Sequence, residues 1–153
     1  MDKAVFLDLG ERLTRALLTG DFDLYRQVMH LPLEIEPRGG KSYVLESAAA
    51  LRQDFDLYRE HIALHGITDI YREVIEIERP APDTAFAIVR MNILAGGRRV
   101  VPLFLAMFTM LRGDDGASRF AKIQSSLGHI NWTLGKGGIT EGDFDLPEGR
   151  NHT

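Results

Sequence analysis

Residues 100–111, VVPLFLAMFTML, constrain the chain more than any other stretch. At 12 residues it is too short to cross a bilayer as a helix, which takes about 20. Arg98 and Arg99 precede it and Arg112 follows it, so a buried strand is the reading that fits. Val101, Leu103, Leu105 and Met107 fall on one face, and Val100, Phe104, Ala106 and Phe108 on the other. A strand apolar on both faces belongs in the middle of a sheet, covered on both sides. Helices can cover one side. The other needs a partner subunit or the chain's own tail, so a homodimer through the open sheet face is expected. Pro102 has no amide hydrogen to give to a ladder and predicts a bulge, or the start of pairing, at that point.

The elements around this strand read as helices first, then strands. Phe6, Leu9, Leu13, Ala16 and Leu17 recur at helical spacing, and Gly20 follows them as a terminator. Asp21 caps a short second helix carrying Phe22, Tyr25, Val28 and Met29, which should stop near Leu31 because of Pro32. Short extended arms are expected at Leu33–Glu36 and Ser42–Leu45. Ser47 then caps a third helix reaching about His65, with Gly66 ending it. Ile67, Tyr71, Ile75 and Ile77 predict one face of a first long strand, with Arg72, Glu76 and Glu78 on the other. Further strands are expected over Thr84–Leu94, Arg98–Leu111 and Phe120–Leu127, joined by turns at Pro80–Asp83, Ala95–Gly97 and Gly113–Gly116. The fold class is therefore α+β: three N-terminal helices on a curved antiparallel sheet of four long strands plus short arms. One domain over 1–134 is expected, with a Gly- and acid-rich arm or tail over 135–153.

Composition narrows the chemistry. There is no cysteine, which excludes disulfides, thiolate catalysis and Cys-containing zinc sites. The net charge of -4 opposes nucleic acid and anionic membranes as partners. The N-terminal MDKAVFLDLG does not read as a signal peptide, and a cytoplasmic location is the expectation. No cofactor is expected: there is no dinucleotide glycine fingerprint, and GKGG at Lys136 lacks the order of a phosphate loop. A serine nucleophile elbow is absent around Ser125 and Ser126.

The segments ALLTGDFDLYRQVMHLPLEIEP and VVPLFLAMFTMLRGDDG, in this order and spacing, resemble the opening and the central strand of the nuclear transport factor 2-like superfamily. The resemblance spans most of positions 2–130 and implies a sheet wrapped around helices as a cone, often with a pocket inside. The ketosteroid isomerase branch of that superfamily uses a tyrosine, an aspartate base and a late aspartic acid. Here those places hold Leu13, the neighbourhood of Pro37 after Glu36, and LFLAMFTML, which offers no acid. The histidine and aspartate pair of the polyketide-cyclase-like branch has no counterpart that can be placed either.

Among polar residues, His30 at the end of the second helix is a candidate general base, or simply a cap against the helix dipole. Glu34 and Glu36 share one side of their strand, facing either the cone or solvent. His61 and His65 share a helix face at a spacing used by zinc sites, but no third ligand accompanies them, and no metal is expected. Arg90 and Asn92 lie in phase with Phe86 and Ile88, so the guanidinium needs a ligand anion or an ion pair with Glu73 or Glu76. The leading reading is a pocket for a small apolar or aromatic metabolite, lined by Tyr25, Tyr58, Met91, Asn92, Phe104, Met107 and Trp132. Two alternatives stay open. One is a cofactor-independent lyase or isomerase acting on a small carbonyl or polyketide-like compound, with His30 as base and Glu36 or Arg90 handling charge on oxygen. The other is a protein-assembly module with a filled core.

Overall fold

A computed structural model describes residues 2–37 and 41–126. The helices are α1 (Asp2–Thr19), α2 (Phe22–Val28) and α3 (Ala48–His65). The strands are β1 (Met29–Pro37), β2 (Tyr43–Leu45), β3 (Asp69–Ala81), β4 (Thr84–Ala95), β5 (Arg98–Arg99), β6 (Phe104–Arg112) and β7 (Ser118–Ser126). Trp132 and the 135–153 arm lie outside the described residues.

Helix boundaries follow from local chemistry. α1 ends where Gly20, at φ 77°, donates its amide to Ala16 O at 2.9 Å. Arg59 adds a cap from a distance, its Nη1 donating to Leu17 O at 2.8 Å and Leu18 O at 3.2 Å. Asp21 Oδ1 accepts the Leu24 amide at 3.0 Å and starts α2. Ser47 Oγ does the same for α3 through the Ala50 amide at 3.1 Å. Gly66 closes α3 in the left-handed region at φ 63°, and the next amide, Ile67, reaches back to Ile62 O at 3.0 Å.

The strands form one sheet in the order β2-β1-β7-β6-β4-β3, with β5 paired to β4. β6 is central, between β7 and β4, as its two apolar faces require. Pairing of β6 with β4 begins at Phe104 opposite Met91, two residues beyond Pro102. The expected single strand from Arg98 is thereby split, because residues around Pro102 cannot complete a ladder. Gly96 and Gly97, both at positive φ, make the two-residue hairpin between β4 and β5.

The sheet departs from the expectation in three further respects. Its four long strands β3, β4, β6 and β7 are antiparallel as expected, but the arm β1 joins them parallel to β7. Parallel neighbours need a long crossover, and everything from β2 to β6 serves as one here. Secondly, α2 stops at Val28 instead of near Leu31, because Met29 already has extended geometry and pairs with Phe120. His30 is therefore a strand residue. Thirdly, the facing of β3 is inverted in its first half. Ile70 is buried while Tyr71 and Ile75 are exposed. The register shifts between Val74 and Glu76, so Ile75 is an extra residue. That bulge lets Ile70, Arg72 and Val74 share a face with Ile77, which a strict two-residue alternation forbids.

The core lies between the helices and the concave face of the sheet. Phe6 of α1 meets Phe108 at 5.7 Å and Phe120 at 5.9 Å, both edge to face, and all three rings are buried. Ala85, Ala87, Val89, Met91 and Ile93 give β4's contribution to this core. Ile88 and Met107 form a separate cluster with Phe86 and Leu105 on the opposite face.

Candidate functional site

The three helices do not fill the concavity completely. A cavity of about 70 Å³ remains, lined by Leu13 and Leu17 from α1, Tyr25 from α2 and Tyr58 and Ile62 from α3. The sheet completes it with Met29 and Ile35 of β1, Ile70 and Arg72 of β3, Met91 and Ile93 of β4, Phe104, Ala106 and Phe108 of β6, and Ile123 of β7. It has roughly half the ~150 Å³ of an engineered apolar cavity that takes up benzene. Met29 and Met91 are the adaptable parts of this wall, because an unbranched thioether side chain repacks at little cost. Tyr58 and Arg72 are the only lining residues that are not fully buried.

Arg72 is the unusual member. Its Nη1 donates to Gly10 O at 3.0 Å and to Thr14 Oγ1 at 2.7 Å, while Thr14 Oγ1 donates onward to Ile70 O at 3.0 Å. The guanidinium carbon stands 5.4 Å from the centre of the Phe108 ring, a cation–π distance. Its Nε is buried with no hydrogen-bond acceptor. No carboxylate forms an ion pair with it among the described residues. Burial pushes its pKa down to about 10, partly countered by the Tyr58 hydroxyl, so the group remains a cation at neutral pH. What accessible surface Arg72 keeps opens on the cavity and on a groove between α1 and β3.

Tyr25, which lines the cavity, and Tyr43 are both neutral at physiological pH. Burial, then the nearby Asp54 carboxylate, pushes the Tyr25 hydroxyl well above its ordinary value. Tyr43 is pushed up for the same two reasons in the same order. Its hydroxyl donates to Asp54 Oδ1 at 3.0 Å, and Asp54 is only 5% exposed. Tyr25 itself packs on Phe55, ring centres 4.7 Å apart.

The residues expected from the sequence divide sharply. Tyr25, Tyr58, Met91 and Phe104 line the cavity. Met107 does not: it lies with Ile88 on the outer face, because β6 alternates and its inward set is Phe104, Ala106 and Phe108. Asn92 is buried, yet it alternates with Met91 and Ile93, is absent from the lining, and donates from Nδ2 to Arg90 O at 3.4 Å. His30, Glu36 and Arg90 are not brought together at the cavity. His30 Nδ1 sits 3.2 Å from Pro32 O. Glu36 accepts from Gln124 Nε2 at 3.3 Å, and Glu34 faces Lys122 Nζ at 3.5 Å. Arg90 Nη1 meets Glu73 Oε1 at 2.9 Å, the cross-strand ion pair weighed above as the alternative to a ligand. His61 and His65 stack with ring centres 6.4 Å apart. Among the described residues no three His, Asp or Glu side chains gather as a metal site requires.

Sequence reasoning missed Arg72 and Asp54. The signal for Arg72 was the alternation of Ile70, Arg72 and Val74, hidden because Tyr71, Ile75 and Ile77 make an equally regular opposite set. Asp54 stands directly before Phe55 in the buried stripe of α3, where a carboxylate has to find a partner.

No family model matches the sequence, and no curated protein matches it significantly. Solved structures do match. A candidate ketosteroid isomerase from Shewanella frigidimarina superposes with a TM-score of 0.61 at 15% identity, over 76% of this chain and 90% of the other. An NTF-2 like protein of unknown function from Shewanella oneidensis gives 0.62 at 15% identity, over 81% and 98%. A domain of unknown function with a cystatin-like fold from Nostoc punctiforme gives 0.61 at 11% identity, over 87% and 82%. At such identities it is the architecture that is shared.

Proposed function

We propose that this chain, a nuclear transport factor 2-like cone, takes a small apolar or aromatic molecule into its interior. One observation carries the reading: a cavity walled by buried side chains from all three helices and five strands, with two methionines able to move. Turnover by His30, Glu36 and Arg90 has no such support, because these groups hold other partners away from the cavity. No helix among the described residues is long and apolar enough to cross a membrane. Self-association through the outer sheet face belongs to the same proposal, with the half-buried Phe86 and Leu105 as the apolar groups a partner would meet, since Ile88 and Met107 are already buried within the chain. Sedimentation of the full chain checks that part.

The test of the pocket is methyl NMR on protein labelled at methionine. Met29 and Met91 line the cavity, whereas Met107 is on the other face. Benzene-sized arenes and short alkanols should shift the Met29 and Met91 methyls and leave Met107 in place. Shifts confined to Met107, or none across the panel, would overturn the reading.

A further inference from the structure

We propose that the molecule held in the cone is a monoanion, a small carboxylic acid with an apolar tail or ring, its carboxylate received by Arg72 and its remainder by the apolar wall. The inference rests on the pocket proposed above and names the chemistry of its polar end.

A guanidinium with its Nε enclosed and no carboxylate beside it is unusual, because desolvating a cation is costly unless an anion compensates. The carboxylates that share the α1–β3 groove with Arg72 do not serve. Glu11 instead faces Arg15, at 3.9 Å, and Asp69 makes no ion pair with the guanidinium. The hydrogen bonds that Arg72 makes all leave from Nη1. Nε is without an acceptor, and Nη2 makes no hydrogen bond among the described residues. Nε and Nη2 form one edge of the guanidinium, the geometry that receives a carboxylate through two parallel bonds once the side chains packed over the enclosed Nε give way. One cation without a second beside it balances one negative charge. A phosphate dianion would call for more donors than this wall holds.

The experiment compares benzoate with benzamide, and hexanoate with hexanamide, by calorimetry on the full wild-type chain. Each pair keeps shape and changes charge. Hydrogen bonds to charged groups predict that each acid binds about 10- to 100-fold more tightly than its amide. Binding should also move the Arg72 Nε–H resonance together with the Met29 and Met91 methyls, a readout a merely structural arginine would not give. Equal affinity for acid and amide overturns the inference, as does an acid that binds without moving Arg72 Nε–H. If acids fail while neutral arenes still shift Met29 and Met91, the anion falls and the pocket stands. If nothing shifts those methyls, both fall. An Arg72→Met chain with an unchanged far-ultraviolet spectrum should bind acid and amide alike, and a retained preference in it would likewise refute the assignment.

Discussion

Replacing Arg72 by methionine separates a residue kept for a ligand from one kept to clamp the fold. The side chain ties α1 to β3 through Gly10 O and Thr14 Oγ1. Hydrogen bonds from a charged donor are worth ~1.5–3 kcal/mol each. The lower figure applies here because each group keeps another hydrogen bond, although Thr14 Oγ1 keeps only the one it donates. Gly10 O lies inside α1 and keeps its helical amide, and Thr14 Oγ1 keeps Ile70 O. About 3 kcal/mol is thus lost. Against it stands the burial of the cation, which lowers the pKa from 12.5 to about 10. At ~1.4 kcal/mol per pH unit this is again roughly 3 kcal/mol, relieved when the charge is removed. The sign is fixed: at pH 7 the group is protonated folded and unfolded, so the whole penalty is present, and it fades only as pH rises from about 10 toward 12.5. Met also keeps much of the alkyl stem that packs on the Phe108 side. Arg72→Met should therefore change stability by less than about 2 kcal/mol. For a chain of 153 residues that is a shift of no more than ~4–8 °C in melting midpoint. Urea titration and thermal melts without ligand measure it. A loss above ~3 kcal/mol would show that the clamp, not the charge, is what the position supplies, and the reasoning would fail.

Three further outcomes are open to measurement. Arg90→Gln removes a cross-strand pair whose members are 38% and 57% exposed, so stability should fall by no more than ~1 kcal/mol and binding in the cone should be unchanged; a tenfold loss of ligand affinity would return Arg90 to the site. Gly66→Ala places a side chain at φ 63° with no atom near its Cβ, so the cost is the left-handed backbone alone, about 1–2 kcal/mol by chemical denaturation, and a neutral result would contradict the cap. Asp115 is held down to about 2 by the Arg119 guanidinium and then the Ala117 amide, so its contribution is present above the ordinary carboxylate value of 3.8 and is lost as pH falls through about 2. Asp115→Asn should flatten that acid limb of the stability curve, and an unaltered limb would refute the assignment.

What the sequence disclosed was local. Asp21, Ser47, Gly20 and Gly66 each act within a few residues of themselves, and each sits where its chemistry placed it. Pro102 interrupts its strand, and the two-faced run after it is central, for reasons contained in the run. The parallel pairing of β1 with β7 joins residues some ninety positions apart, and no spacing announces it. The candidate site fared likewise. Tyr25, Tyr58, Met91 and Phe104 sit on elements with regular periods and reach the cavity. Asn92 was placed by its phase with Phe86, Ile88 and Arg90, and Met107 with the other methionines, whereas the cavity takes Met91 and Ile93 from β4 and Phe104, Ala106 and Phe108 from β6. Arg72 was read outward because one surplus residue resets the alternation of β3, and a bulge depends on the neighbouring strand as much as on its own sequence.

That surplus residue also governs how the chain can vary in length. β3 is an edge strand with a spare position at Ile75, so losing that position leaves Val74 opposite Val89 and Glu76 opposite Ile88, with Arg72 still turned inward. The same single-residue deletion within central β6 would carry part of the set Phe104, Ala106 and Phe108 to the outer face and open the cone. Descendants of this sequence can thus lose a codon in β3 and keep the charge in the cavity, while central β6 is fixed in length.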